Sequence, residues 1–223
     1  MRGHGWEEDA VVDVVVKRLD AIPEYQALFR KAFQEDNAVT AINIGKALGS
    51  FQRSLVANNS KFDQYMRGDS GAMTTSEKAG MVAFMKSGCA RCHSGPMLSD
   101  FKLHVLGVMD NEKLPQVDSG YQRSFAFRTP SLRNLRFTGP YMHTGKITSL
   151  KNVLTFYEDL KNKPLPSVHV RKDQLDPLAR KISLDFKDIL LILEFLNTLN
   201  DDQFDKRIPV KVPSGLKVGG NMD

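Results

Sequence analysis

The chain has 223 residues, 41% of them hydrophobic, with 31 Lys and Arg against 26 Asp and Glu for a formal charge of +5. That length can bury a core in one or two domains without covalent staples, and two cysteines exclude a disulfide-built scaffold. The basic residues are dispersed, which argues against a nucleic-acid-binding tail, and no apolar stretch is long enough for a membrane span.

The N-terminus does not read as a signal peptide, because its apolar run at 11–16 is short, broken by Asp13 and preceded by acids. Residues 7–35 alternate acidic caps with apolar positions. Pro23 suits the first turn of a helix over 22–34 that carries Tyr25, Leu28, Phe29 and Phe33. A longer helix is expected over 38–57, with Ala41, Ile44, Leu48, Phe51 and Leu55 on one apolar stripe, ending at Asn58-Asn59-Ser60. Thr74 and Glu77 have capping-box spacing and open a helix over 75–87 with Met81, Phe84 and Met85 on it.

From 94 to 140 turn formers dominate, including Gly95-Pro96, Gly107, Pro115, Gly120, Pro130 and Gly139-Pro140. A loop run of that length points to function or to wrapping around something. Thr148 or Ser149 then caps a helix with Leu150, Val153, Leu154 and Tyr157 at helical spacing. Asp185 opens the last helix, faced by Ile189, Ile192, Leu193 and Leu196. The polar tail beyond Asp201 is expected to lie extended. No strand-period segment of useful length and no internal repeat stand out, so the expected fold class is all-α.

Both cysteines fall in Cys89-Ala90-Arg91-Cys92-His93, and C-x-x-C-H is the signature of covalent c-type heme attachment. Two thiols on one tight turn can bond the two vinyl groups of a porphyrin, and the following imidazole meets the iron from the same face. A zinc site would need two more ligands, for which His104, His143 and His169 are candidates, but no second paired cluster exists. A redox C-x-x-C would expect a βαβ context that is absent. For the sixth iron ligand the residues offer Met97, Met109, Met142, His143 and Tyr157. Methionine raises the potential and tyrosinate favours oxidised iron, while periodicity alone reads Tyr157 as a core residue.

The segment RTPSLRNLRFTGPYMHTGKITSLKNVLTFY (Arg128 to Tyr157), with FQRSLVANNSKFDQYMRGD (Phe51 to Asp69) and the ending VPSGLKVGG, resembles the C-terminal heme domain of bacterial di-heme cytochrome c peroxidases and MauG-like proteins. The resemblance implies a cytochrome c-like helical domain wrapped around one covalent heme c, with long loops. It implies a two-heme enzyme in which this heme receives electrons from a small donor protein or cytochrome and passes them to an N-terminal heme that reduces hydrogen peroxide. It places the distal ligand fourteen residues after His143, at Tyr157, where ordinary peroxidases have methionine and MauG-like members tyrosine; Met142 is the alternative. It also matches Thr138 and Pro140 to positions whose backbone carbonyls bind calcium between two domains. Arg128 and Arg133 are expected to pair with heme propionates.

No second C-x-x-C-H is present, so the peroxide-binding heme domain of the family is absent from this sequence. The expected organisation is an inter-domain helical segment over 1–37, the cytochrome domain over 38–205 and an extended tail over 206–223. The chain is read as the C-terminal portion of a longer protein, periplasmic or otherwise exported, that is inactive as a peroxidase alone. Trp6, the only tryptophan, is expected to pack near a domain junction. The rival readings are a stand-alone mono-heme electron carrier with a methionine on iron and a helical domain with a zinc site.

Overall fold

The computed structural model describes residues 8–203 and 207–218, so the expectation for Trp6 lies outside the described residues. Among the described residues seven α-helices run in chain order: α1 (Glu8–Asp20), α2 (Pro23–Phe33), α3 (Ala41–Ser54), α4 (Lys61–Met66), α5 (Thr75–Lys86), α6 (Leu150–Asn162) and α7 (Phe186–Asn197). The fold is all-α, with long connections and one short ribbon in which β1 (Leu103–Val105) pairs antiparallel with β2 (Ala126–Arg128). Sequence patterning missed that ribbon because three residues are too few to show alternation. It also missed the short α4, while α1 falls within the helical segment expected over 1–37. No helix among the described residues is long and apolar enough to cross a membrane.

The helix boundaries follow local signals. Pro23 stands in the first turn of α2, and Gln34 ends that helix in the left-handed region. Thr40 caps α3 by accepting from the Asn43 amide, which starts the helix at Ala41 instead of 38. The Thr74–Glu77 capping box opens α5, and the Ser149 hydroxyl caps α6.

The chain forms two compact units, Met1–Val56 with Phe204–Asp223, and Ala57–Gln203. The first division therefore falls at 56/57, where the sequence suggested 37/38, and α3 goes with α1 and α2. Within that unit α1 packs on α2 and α3. The apolar stripe read from α3 is not a core face among the described residues. Leu48 and Phe51 are 60% and 61% exposed, and the buried residue of that helix is Asn43. Periodicity finds an amphipathic helix; only a partner decides whether its face is covered. Residues 207–218 carry neither helix nor strand.

In the second unit α5 and α7 cross in close contact. Ile189, Ile192, Phe195 and Leu199 of the α7 region are buried, and Phe195 meets Phe84 and Phe62 with ring centroids 5.2 and 5.7 Å apart. Each such side chain contributes on the order of 1.5–3 kcal/mol by leaving water. Cys89, Ala90 and Tyr157 pack on the edge of this core, which fixes the ground on which the site is built.

Candidate functional site

The Cys89–His93 segment begins where α5 stops. Gly88 turns the chain with φ of 95°, a conformation that favours glycine, and one 3-10 turn over Cys89–Arg91 follows. The amides of Cys92 and His93 both donate to the Cys89 carbonyl, at 3.3 and 3.0 Å. Two thiols and an imidazole are thereby presented from a single turn, as the motif required. Both cysteines are free and half-buried. Burial raises the Cys89 thiol, and burial with the Asp100 and Asp176 charges pushes Cys92 up to about 11, so both stay protonated near neutral pH.

His93 Nδ1 lies 3.1 Å from the Leu98 carbonyl, so that nitrogen carries the proton and donates it. Burial holds the ring's pKa below its ordinary value. The result is a neutral imidazole with its Nε2 lone pair available, which is the state and orientation a metal-ligating histidine needs.

Cys89, Cys92 and His93 open on a cavity of about 630 Å³ whose walls come from the end of α5, β2, the 128–143 loop and α6. The size lies in the range of cofactor pockets. Phe84, Val108, Leu132 and Leu154 supply apolar wall, and Tyr157 enters from α6. Tyr157 is half-buried, with its open surface on the cavity, and its hydroxyl makes no hydrogen bond among the described residues. Burial, reinforced by the two cysteines, holds that phenol above its ordinary range. A phenol in this setting ionises only against a nearby cation, and a metal ion supplies one.

The structure sorts the candidates for a distal ligand. Tyr157, Met142 and His143 line the cavity. Met97 and Met109 do not: Met97 is 46% exposed and Met109 lines a separate small cleft beside α6. His143 is exposed and stacked on Phe127, ring centroids 3.5 Å apart. Met142 adopts φ of 65° and packs beside Val108, Ile147 and Phe156.

The two arginines part ways. Arg128 is exposed at the cavity margin, and no side-chain partner engages it among the described residues. Arg133 is committed elsewhere: it forks onto Asp63 at 2.8 and 2.9 Å and donates to the Pro96 and Ala57 carbonyls. The expected propionate partner of Arg133 is thus replaced by a protein carboxylate. Thr138 and Pro140 lie in an exposed loop at the cavity edge, with the Thr138 hydroxyl directed to the Leu135 carbonyl at 3.4 Å.

Sequence reading gave His104 no role beyond a candidate zinc ligand, yet it is buried on β1, lines the same cavity and sits between Asp176 and Asp100 at 2.9 and 3.0 Å. His169, the other zinc candidate, lies 3.3 Å from Asp110 and stacks on Phe125. The described cavity fits a covalent heme by its own chemistry. Paired thiols, an oriented neutral imidazole and a phenol line one large apolar space.

Residues 4–71 match the family model described as Di-haem cytochrome c peroxidase. The methylamine utilization protein MauG of Methylorubrum extorquens is 40% identical over 159 residues, 68% of this chain and 44% of that protein. Cytochrome c551 peroxidase of Pseudomonas aeruginosa is 34% identical over 159 residues, 66% of this chain and 46% of that protein. Among solved structures, a MauG-like protein associated with microbial copper homeostasis superposes with a TM-score of 0.69 at 26% identity, over 87% of this chain and 63% of the other. The diheme peroxidase BthA of Burkholderia thailandensis shares the fold at a TM-score of 0.64 and 18% identity, over 92% of this chain and 62% of its own. The chain spans about half the length of the curated relatives it matches. With these matches beside the C-x-x-C-H turn and its cavity, the chain belongs to the MauG-like di-heme cytochrome c peroxidase family.

Proposed function

We propose that this chain is the electron-transferring heme domain of a di-heme peroxidase and holds one heme c. Cys89 and Cys92 are its covalent anchors, His93 its proximal ligand and Tyr157 its distal ligand. The observation that supports this reading is the convergence of all four side chains on one cavity. The bound heme would supply one-electron redox chemistry. The protein's own contribution is to orient His93 through the Leu98 carbonyl while burial keeps it neutral, to exclude water with the apolar wall, and to offer a phenolate that favours oxidised iron.

With His93 and Tyr157 both holding its iron, a bound heme would offer no open position to peroxide, so this chain alone would be a poor peroxidase. Peroxide reduction belongs to a second heme domain that takes electrons from this one, and a small redox protein or cytochrome is the donor. Arg128, with its guanidinium uncommitted, is the residue that pairs with a heme propionate. Thr138 and Pro140 lie in an exposed loop, and their backbone carbonyls are ligands of the kind that suits a calcium ion. Attachment of heme c takes place outside the cytoplasm, which puts the whole protein in the periplasm.

Expression of the full chain with a heme-attachment system tests the reading. The intact mass should rise by one heme, and the paired substitution Cys89→Ser with Cys92→Ser should remove that gain. A chain that acquires no covalent heme under conditions that load a control cytochrome overturns it.

A further inference from the structure

Cys92, Asp100 and His104 each offer one ligand atom, and these atoms lie within 4.8 Å of one another. His104 is 8% exposed, and both of its ring nitrogens face carboxylate oxygens, Nδ1 that of Asp176 at 2.9 Å and Nε2 that of Asp100 at 3.0 Å. We propose that in the heme-free chain Cys92 Sγ, Asp100 Oδ2 and His104 Nε2 form a binding site for Zn²⁺, with Asp176 orienting the imidazole from behind.

The donor set is a mixture of thiolate, imidazole and carboxylate, which suits zinc. Tetrahedral bonds of about 2.0–2.3 Å need donors about 3.3–3.6 Å apart. His104 Nε2 and Asp100 Oδ2, at 3.0 Å, already lie close to that separation, so the adjustment, of roughly 1 Å, falls to the Cys92 side chain. Nothing has to be built anew behind the histidine. The Asp176–His104 contact is already the carboxylate–histidine pair found behind metal-bound imidazoles. Asp176 is itself fixed, since its other oxygen accepts from the Leu178 amide at 2.7 Å. Asp100 is tied to the motif, with its amide donating to the Cys92 carbonyl at 2.7 Å and its Oδ1 accepting from the Lys102 amide at 3.0 Å. The β1–β2 ribbon sets His104 opposite Phe127 and so on the cavity wall, which gives the ion a path inward.

The proton count also closes. Both ring nitrogens of His104 face carboxylate oxygens at hydrogen-bond distance, 2.9 and 3.0 Å, so each carries a proton. Binding of Zn²⁺ expels one proton from His104 Nε2 and one from the Cys92 thiol. Two charges arrive and two protons leave, so the net local charge is unchanged while a buried cation replaces a buried proton between the same two partners. Water takes the fourth position.

One consequence rests on the heme reading above, although the metal site does not. A Cys92 sulfur already bonded to a porphyrin is a thioether and supplies no thiolate, so zinc occupancy and heme attachment exclude each other.

The test is a titration of the reduced, heme-free full chain with Co²⁺, read by its thiolate-to-metal absorption in the near ultraviolet and then by displacement with Zn²⁺. The expected result is one equivalent bound, lost in Cys92→Ser and in His104→Gln, and kept in Cys89→Ser and His93→Gln. Asp176→Asn should weaken binding by ~10–100-fold through the loss of the orienting carboxylate. Because His104 is buried, circular dichroism accompanies each variant, and Asp100→Asn provides a second removal of a ligand that leaves the imidazole in place. Absorption that vanishes in Cys89→Ser or His93→Gln, or unchanged affinity in a folded Asp100→Asn, overturns the site. Heme-loaded protein that shows the same absorption overturns the exclusion.

Discussion

Asp63 is the residue on which the loop over the site is fastened. It accepts both arms of Arg133, and it closes the capping box of α4 through the Ser60 amide and hydroxyl. Burial pushes its carboxyl up, but Arg133 and Ser60 outweigh burial and hold it below the ordinary carboxylate value. A depressed carboxylate stabilises the fold above the unfolded value of about 3.9, and that stability is lost as pH falls through the lower folded value. Denaturant unfolding at a series of pH values should therefore show an acid limb below about pH 4 that flattens in Asp63→Asn. The same variant should cost roughly 3 kcal/mol near neutral pH, since it leaves Arg133 enclosed without its partner. An unaltered acid limb would contradict the pairing. None of this was legible in the sequence, because Asp63 and Arg133 are far apart in the chain and either reads as a solvated charge. His104 was hidden for the same reason, since its carboxylates come from a neighbouring loop and from Asp176. The C-x-x-C-H turn was legible because all of its chemistry lies within five residues.

Among the elements, the α5–α7 crossing carries the site. A Cβ on Gly80 would lie 2.0 Å from the Leu191 carbonyl oxygen, so the two helix backbones approach as closely as glycine permits. Alanine is the better helix former by about 1 kcal/mol, yet overpacking against a main-chain atom costs about 1–3 kcal/mol. Gly80→Ala should lower the midpoint of chemical unfolding, and a midpoint that rises would show that the crossing has room to give. The heme-bearing turn follows α5 directly, so a displaced α5 should also slow heme attachment. Caps were legible at this scale. Thr74, Ser149 and Pro23 each mark a helix start by chemistry that acts within four residues. Faces were not. The stripe on α3 predicted burial that the structure does not show, and the ribbon that places His104 was too short to leave a period.

At the scale of the molecule, the second unit contains the whole cavity, the thiols, the proximal imidazole and the candidate distal ligands. The cavity is made largely by the 94–140 loop run, whose length had pointed to something being wrapped. Which of the distal candidates faces the cavity could be settled only in three dimensions. Spacing could not separate Met97 and Met109 from Met142 and Tyr157, whereas the path of the chain leaves the first two outside. The measurement that tests the account most directly is the electronic and electron-paramagnetic-resonance spectrum of the ferric, heme-loaded protein beside its Tyr157→Phe variant. The account predicts a six-coordinate signal of histidine–tyrosinate type that the substitution abolishes, with a change of spin state as the iron opens. A methionine-to-iron charge-transfer band that survives in Tyr157→Phe would contradict it and give the distal position to Met142.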